Sequence, residues 1–153
     1  MKTLIYYLFG LVMILTGCSK GGSNPPVAIP DTAKPSVTIT KPTAGQSFTA
    51  GNTILFQATF TDNEKLKSYE VAVTKKIAGG MVLKVVPTST PFTYTKSAIS
   101  LVGGKSQDVS LSDITIPANT VSTITTPGIY NLKVTCFDNS DNSASTTLEI
   151  SIN

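Results

Sequence analysis

The chain predicts an all-β sandwich. Apolar residues alternate with polar ones at period two in several separate runs, which is the pattern of half-buried strands. Clusters of Pro, Gly, Asn and Asp stand between the runs as turns. Beyond the first seventeen residues, no segment shows the 3.6-residue apolar period of an amphipathic helix. Composition agrees: charged residues are 14%, and Val, Ile, Thr and Ser are abundant, a mix that favours strands.

The strands are expected in the following order. Val37 and Ile39 begin the first. Ile54, Phe56, Ala58 and Phe60 share one face of the second, over 54–61. Tyr69, Val71 and Val73 do so in the third, over 66–76. Met81 to Val86 is a short apolar run before Pro87, and Phe92 and Tyr94 mark another strand. Val109, Leu111, Ile114 and Ile116 follow, and their phase holds only if Ser112-Asp113 forms a bulge. Tyr130 to Phe137 and Ala144 to Ile152 complete the set. The intervening turns are Pro42 to Gly45, Ala50-Gly51-Asn52, Asp62-Asn63-Glu64, Ala78-Gly79-Gly80, Gly103-Gly104, Pro117 to Asn119, Pro127-Gly128 and Asp138 to Asn142.

About seven or eight short strands within residues 36–153 point to an immunoglobulin-like Greek-key sandwich. Tyr130, just after Pro127-Gly128, opens the penultimate strand. It resembles the tyrosine corner of such sandwiches, in which the hydroxyl ties back to nearby backbone. Trp is absent, so the core Trp of antibody domains is missing.

The first segment has a different character. Lys2 supplies a positive start, and Leu4 to Leu15 is an apolar run too short for an ordinary bilayer span. Leu15-Thr16-Gly17-Cys18 follows, and it resembles the lipobox of bacterial lipoproteins. That resemblance implies a signal peptide over 1–17 and cleavage before Cys18. It also implies a diacylglycerol thioether on the Cys18 sulfur and an acylated (palmitate-type) amine. Two or three acyl chains anchor stably where one is marginal. Residues 18–35 then read as the lipidated Cys and a flexible tether, because Ser19 to Pro26 is small, polar and rich in Pro and Gly. The expected location is the cell envelope, lipid-anchored, in the outer membrane of a Gram-negative bacterium.

Three strings carry a further resemblance: Phe60-Thr61-Asp62-Asn63-Glu64-Lys65-Leu66-Lys67-Ser68-Tyr69-Glu70-Val71, Pro127-Gly128-Ile129-Tyr130, and Phe137-Asp138-Asn139-Ser140-Asp141-Asn142. Together with Ile116-Pro117 they resemble segments of Bacteroidetes-type lipoproteins with an Ig-like domain of unknown function. Some such relatives carry His in the central loops. This chain has none, so no role resting on those His carries over.

The absence of His also removes Ser-His-Asp triads, Cys-His pairs and His-ligated zinc. Gly103-Gly104-Lys105-Ser106 lacks the upstream Gly and following helix of a phosphate loop and reads as a turn. With Cys18 committed to lipid, Cys136 has no disulfide partner. It alternates in phase with Tyr130, Leu132 and Val134 and reads as a core residue. The formal charge of +3 falls to about +2 without Lys2, too weak and scattered for nucleic acid.

The acids are more informative. In an Ig topology the turns after the second and penultimate long strands emerge at one end. That brings Asp62, Asn63 and Glu64 near Asp138 and Asp141, and Asp31 approaches the same end through the N-terminal entry. Converging carboxylates and amides suit calcium, which takes six to eight oxygens. The expectation is therefore a noncatalytic, lipid-anchored binding or adhesion module, with a glycan or an envelope protein as partner. A calcium-stabilised spacer and a small carboxylate-based hydrolase are the alternatives. Phe137, out of phase with Cys136, is expected to sit exposed near the acidic rim.

Overall fold

The computed structural model describes residues 29–77 and 89–153, and among these there are ten strands and no helix. They are β1 Ser36–Lys41, β2 Ser47–Phe48, β3 Thr53–Thr61, β4 Leu66–Lys75, β5 Ser89–Thr90, β6 Tyr94–Ser100, β7 Ser106–Thr115, β8 Ile124–Thr125, β9 Gly128–Asp138 and β10 Ser143–Ile152. One sheet runs β1-β3-β7 and the other β2-β10-β9-β4-β6, while β5 and β8 form a small parallel pair. The long strands pair antiparallel, and consecutive strands cross between the sheets at β3–β4, β6–β7 and β7–β9. This is an immunoglobulin-like sandwich of seven long strands with three two-residue additions.

The period-two columns meet between the sheets. Ile54, Phe56, Ala58 and Phe60 from β3 face Tyr69, Val71 and Val73 from β4 and Leu132, Val134 and Cys136 from β9 in one buried cluster. Phe60 and Tyr69 have ring centroids 4.9 Å apart, within the range in which aromatic pairs attract. Fully burying each large apolar side chain contributes roughly 1.5–3 kcal/mol.

Two bulges keep these columns in phase. Ile54 pairs with Ile114 but Phe56 pairs with Leu111, so Ser112 and Asp113 together oppose Leu55. At the other end Leu66 pairs with Asp138 and Ser68 with Phe137, which leaves Lys67 as the extra residue. Leu66 and Tyr69 thereby both point inward despite their odd spacing.

Some expected boundaries differ. The strand expected at Phe92 and Tyr94 begins at Tyr94, and Phe92 reaches the core from the preceding loop. Gly128, read as a turn residue, opens β9 with φ 135°, a conformation that suits glycine. β7 starts three residues before Val109 because its first half is polar and pairs at an exposed edge. The run Met81 to Val86 lies outside the described residues.

Tyr130 is fully buried at the start of β9. Its hydroxyl donates to the Thr126 carbonyl oxygen at 2.5 Å and accepts the Phe92 N–H at 3.2 Å. One side chain thus fixes both the turn before β9 and the loop before β6. Burial raises the Tyr130 pKa above the ordinary 10.0, although the Phe92 N–H opposes the shift. Tyr69 is raised for the same first reason. A group that holds its proton more tightly when folded contributes stability that is complete below its unfolded pKa. That stability is lost as pH rises through the folded value.

Removing the Tyr130 hydroxyl leaves the buried Phe92 N–H and the part-buried Thr126 carbonyl without their partner, so Tyr130→Phe is expected to cost about 1–3 kcal/mol in urea unfolding at pH 7. Wild-type stability is expected to decline above about pH 10, and less steeply in the Phe variant. A melting-temperature series from neutral to strongly alkaline pH checks the sign. A variant as stable as wild type would remove the corner from the account.

Candidate metal centre

Two inward-facing columns end in carboxylates. The β3 series Ile54, Phe56, Ala58, Phe60 continues in phase to Asp62, and the β9 series Leu132, Val134, Cys136 continues to Asp138. Asp138 has no exposed surface. It stands opposite Leu66 in the ladder, where an apolar residue would otherwise close the core. Asp31 approaches from the entry segment, whose last residue, Pro35, is buried. One oxygen from each of Asp31, Asp62 and Asp138 lies within 4.8 Å of the others.

The hydrogen bonds around the cluster are uneven. Asp138 Oδ1 accepts the Ser140 and Asn142 N–H groups, each at 2.8 Å, and Oδ2 accepts Asn142 Nδ2 at 2.7 Å. Asp62 Oδ2 accepts the Glu64 and Lys65 N–H groups at 2.9 and 2.8 Å. Asp31 Oδ1 accepts the Ala33 N–H and Asn63 Nδ2, both at 3.0 Å. These donors saturate one oxygen on each carboxylate, since a carboxylate oxygen takes about two bonds. Asp62 Oδ1 is buried and has no hydrogen-bond partner at all.

The second oxygens are therefore the available ones: Asp62 Oδ1 wholly, Asp31 Oδ2, and Asp138 Oδ2 in part. No lysine forms an ion pair with these three acids among the described residues. Like charges at about 4.8 Å repel by several kcal/mol at an effective dielectric near 20. Such repulsion is relieved by a cation. Calcium–oxygen distances of about 2.3–2.6 Å place oxygens of one coordination shell up to about 5 Å apart, which this cluster satisfies.

Of the residues singled out from sequence, Asp62 and Asp138 enter the cluster with Asp31. Asn63 serves it by donating to Asp31. Glu64 contributes its backbone N–H to Asp62, and its side chain lies exposed, outside the cluster. Asp141 sits at φ 66° and pairs with Lys67 Nζ at 2.5 Å, away from the three acids. Asn142, which the sequence did not single out, bridges Asp138 Oδ2 and the Asp31 carbonyl oxygen, the latter at 3.1 Å. Cys18 lies outside the described residues.

Cys136 is fully buried beside this end, and its thiol is pushed up to about 11, first by burial and then by the charge of Asp62. It is a protonated core residue at neutral pH.

The chain belongs to the family described as domain of unknown function DUF4625, which matches residues 17–153. No curated protein matches it. Among solved structures it is similar to fibronectin(III)-like modules of CbhA from Clostridium thermocellum. The identity there is 17% and the TM-score 0.41, over 77% of this chain and 46% of that one. It is also similar to Spo0M, a sporulation control protein from Bacillus subtilis, at 10% identity and TM-score 0.38, over 78% of this chain and 49% of that one. The chain thus matches about half the length of each of these structures.

Asn142→Ala removes the bridge between Asp31 and Asp138. The expected cost is about 1.5–3 kcal/mol, the value of a hydrogen bond to a charged group. Faster hydrogen exchange at the Ala33 amide, which bonds Asp31, should accompany it. Unchanged exchange there would show that the entry segment is held by other contacts.

Proposed function

We propose that this protein is a noncatalytic Ig-like module of the cell envelope, lipid-anchored through Cys18 and stabilised by calcium at Asp31, Asp62 and Asp138. The observation that carries the cation is Asp62 Oδ1, a buried carboxylate oxygen without a partner in a cluster of three acids. A buried polar oxygen left without a partner costs about 1–3 kcal/mol unless something compensates it. Hard oxygen donors alone, without Cys or His, favour calcium over transition metals.

Asp31 belongs to the entry segment, so a bound ion draws the end of the tether onto the two strand ends. The carboxylates supply three oxygens of the shell, and solvent completes it. This is a stabilising role and needs no substrate. The noncatalytic reading is supported by the absence of His and by the protonated, buried Cys136 thiol. It is supported too by the backbone N–H groups that tie down one oxygen of each acid.

The membrane attachment rests on Lys2, the apolar run and Leu15-Thr16-Gly17-Cys18. With Lys20 and no acid before Asp31, the segment after Cys18 has no acidic run of the kind carried by some surface-exported lipoproteins. The outer membrane of a Gram-negative cell, without commitment to its outer face, is the proposed location. Cys18→Ser should abolish incorporation of labelled palmitate and release the protein from the membrane fraction. A variant that still labels would place the lipid elsewhere.

Affinities of extracellular calcium modules lie near 10⁻⁴–10⁻³ M, so 10 mM calcium should stabilise the detergent-solubilised full chain by about 1.4–2.7 kcal/mol. That corresponds to a rise in Tm of roughly 5–10 °C over chelator. Asp62→Asn should remove the calcium response, and in chelator it should match or exceed wild type because one repelling charge is gone. Equal melting temperatures for wild type in calcium and chelator would sink the metal site.

A further inference from the structure

The opposite side of β9, on the outer face of its sheet, carries a second group of accessible side chains. Among the described residues every aromatic side chain is buried except Tyr94 and Phe137. Tyr94 is committed, its hydroxyl donating to Asp113 Oδ1 at 3.1 Å. Phe137 is half-buried, faces outward from β9 and stacks on no other ring. Its ladder neighbours on the two flanking strands are Ser68 and Ser143, which are too small to cover a phenyl ring.

The same small-residue surroundings open a shallow cleft of about 280 Å³ against β4 and β6. Its lining includes Phe137, Ser68, Ser97, Glu70, Lys67 and Asp141. The β6 side is bulged. Tyr69 pairs with Ile99 and Val71 with Lys96, so Ser97 and Ala98 together oppose Glu70. Ala98 is held at φ 55°, a strained left-handed conformation for a residue with a Cβ. The bulge takes the edge strand out of register where the cleft lies.

The polar groups are of mixed sign. Glu70 and Asp141 are acceptors, Lys67 is a donor, and Ser68 and Ser97 are both. Lys67 and Asp141 form an exposed ion pair with side chains 48% and 79% accessible, of a kind worth little by itself and free to turn to a ligand. One cation against two carboxylates leaves the cleft net negative, which opposes phosphate, sulfate and acidic sugars. The cleft is shallow and offers one aromatic ring, so it suits a ligand of one ring.

The geometry points to a subsite for a single neutral sugar ring, stacked by its C–H face on Phe137 and hydrogen-bonded through its hydroxyls to Glu70, Asp141, Lys67 and the flanking serines. Sugar hydroxyls donate and accept, as this mixed set requires. A peptide side chain would need an apolar pocket deeper than one exposed ring. The cleft shares none of its groups with the three clustered acids.

The test is saturation-transfer NMR on the detergent-solubilised full chain with methyl glycosides of glucose, mannose and galactose, and with a neutral glucan, mannan and galactan. Transfer to at least one probe is expected, strongest on one face of the ring. Phe137→Ala should weaken it roughly tenfold. Phe137→Tyr should retain it, and Asp62→Asn should retain it whether or not calcium shifts the melting temperature. No transfer from any probe, or transfer that Phe137→Ala leaves unchanged, overturns the proposal. So does loss in Phe137→Ala of a crosslink to an envelope protein with no glycan bound, which would make the cleft a protein contact.

Discussion

The apolar core of this sandwich has to end somewhere, and at one end it ends in carboxylates. Asp138 closes β9 and Asp62 is the first residue after β3, each continuing an inward column past its last apolar member. Much of the neighbouring backbone is arranged around that choice. The β3–β4 turn turns its Glu64 and Lys65 N–H groups onto Asp62. The β9–β10 turn wraps Ser140 and Asn142 around Asp138. The Lys67 bulge sets Leu66 against Asp138, so that the acid is capped by apolar surface on its inner side. Replacing Asp138 alone by an apolar residue would remove its desolvation cost but strand the Ser140 and Asn142 donors it satisfies. Retaining it keeps that turn's donors satisfied, and a cation at the cluster would offset the charge that remains.

β9 lies at the centre of its sheet, and its two ends are held by different chemistry. At the start, the Tyr130 hydroxyl ties Thr126 and Phe92 by neutral hydrogen bonds. At the finish, Asp138 gathers its turn by charged ones, and Asn142 extends the network to Asp31. Antibody-type sandwiches cross-link their sheets by a disulfide packed on a Trp. Here Cys136 is a free, buried thiol and Trp is absent. The sheets are held by the packed columns of Phe, Ile and Val, and the strand ends by polar ties. Those ties depend on the Tyr130 hydroxyl at one end and on the N–H donors around Asp138 at the other.

Most of the fold was legible because a sheet with one buried face writes itself as alternation. The columns on β3, β4 and β9 could be read directly, and so could the bulge at Ser112-Asp113, since Leu111 and Ile114 cannot otherwise share a face. β6 was harder. Its residues Tyr94 to Ser100 lie at an edge, are largely exposed and carry a bulge, so no apolar phase marks them. Phe92 misled because a loop can deliver a core side chain as well as a strand can. In the site, the type of residue and the shared end were readable from topology, but the selection among the acids was not. Glu64 and Asp141 differ from Asp62 and Asp138 in phase: the latter continue inward columns and the former do not. Asn142 carried no signal, because an Asn in a turn is ordinary until its amide is seen to bridge two acids.

The two proposed sites use opposite faces of the same strand and meet in one turn. Asp138 and Asn142 face the acidic cluster, while Phe137 and Asp141 face the cleft, so the cluster and the cleft fall on opposite sides of β9 and its turn. Asp141 reaches the cleft only because its backbone is left-handed at φ 66°. Asn142 N–H and carbonyl bonds to Asp138, at 2.8 and 3.1 Å, hold the turn that places it there. A cation on Asp138 would therefore act on the turn that carries Asp141, at the end of the module where Asp31 enters. A spacer alone would need the first of these features. A module that presents a surface has use for both, since fixing the entry segment at Asp31 would set the direction in which the chain enters relative to the cleft.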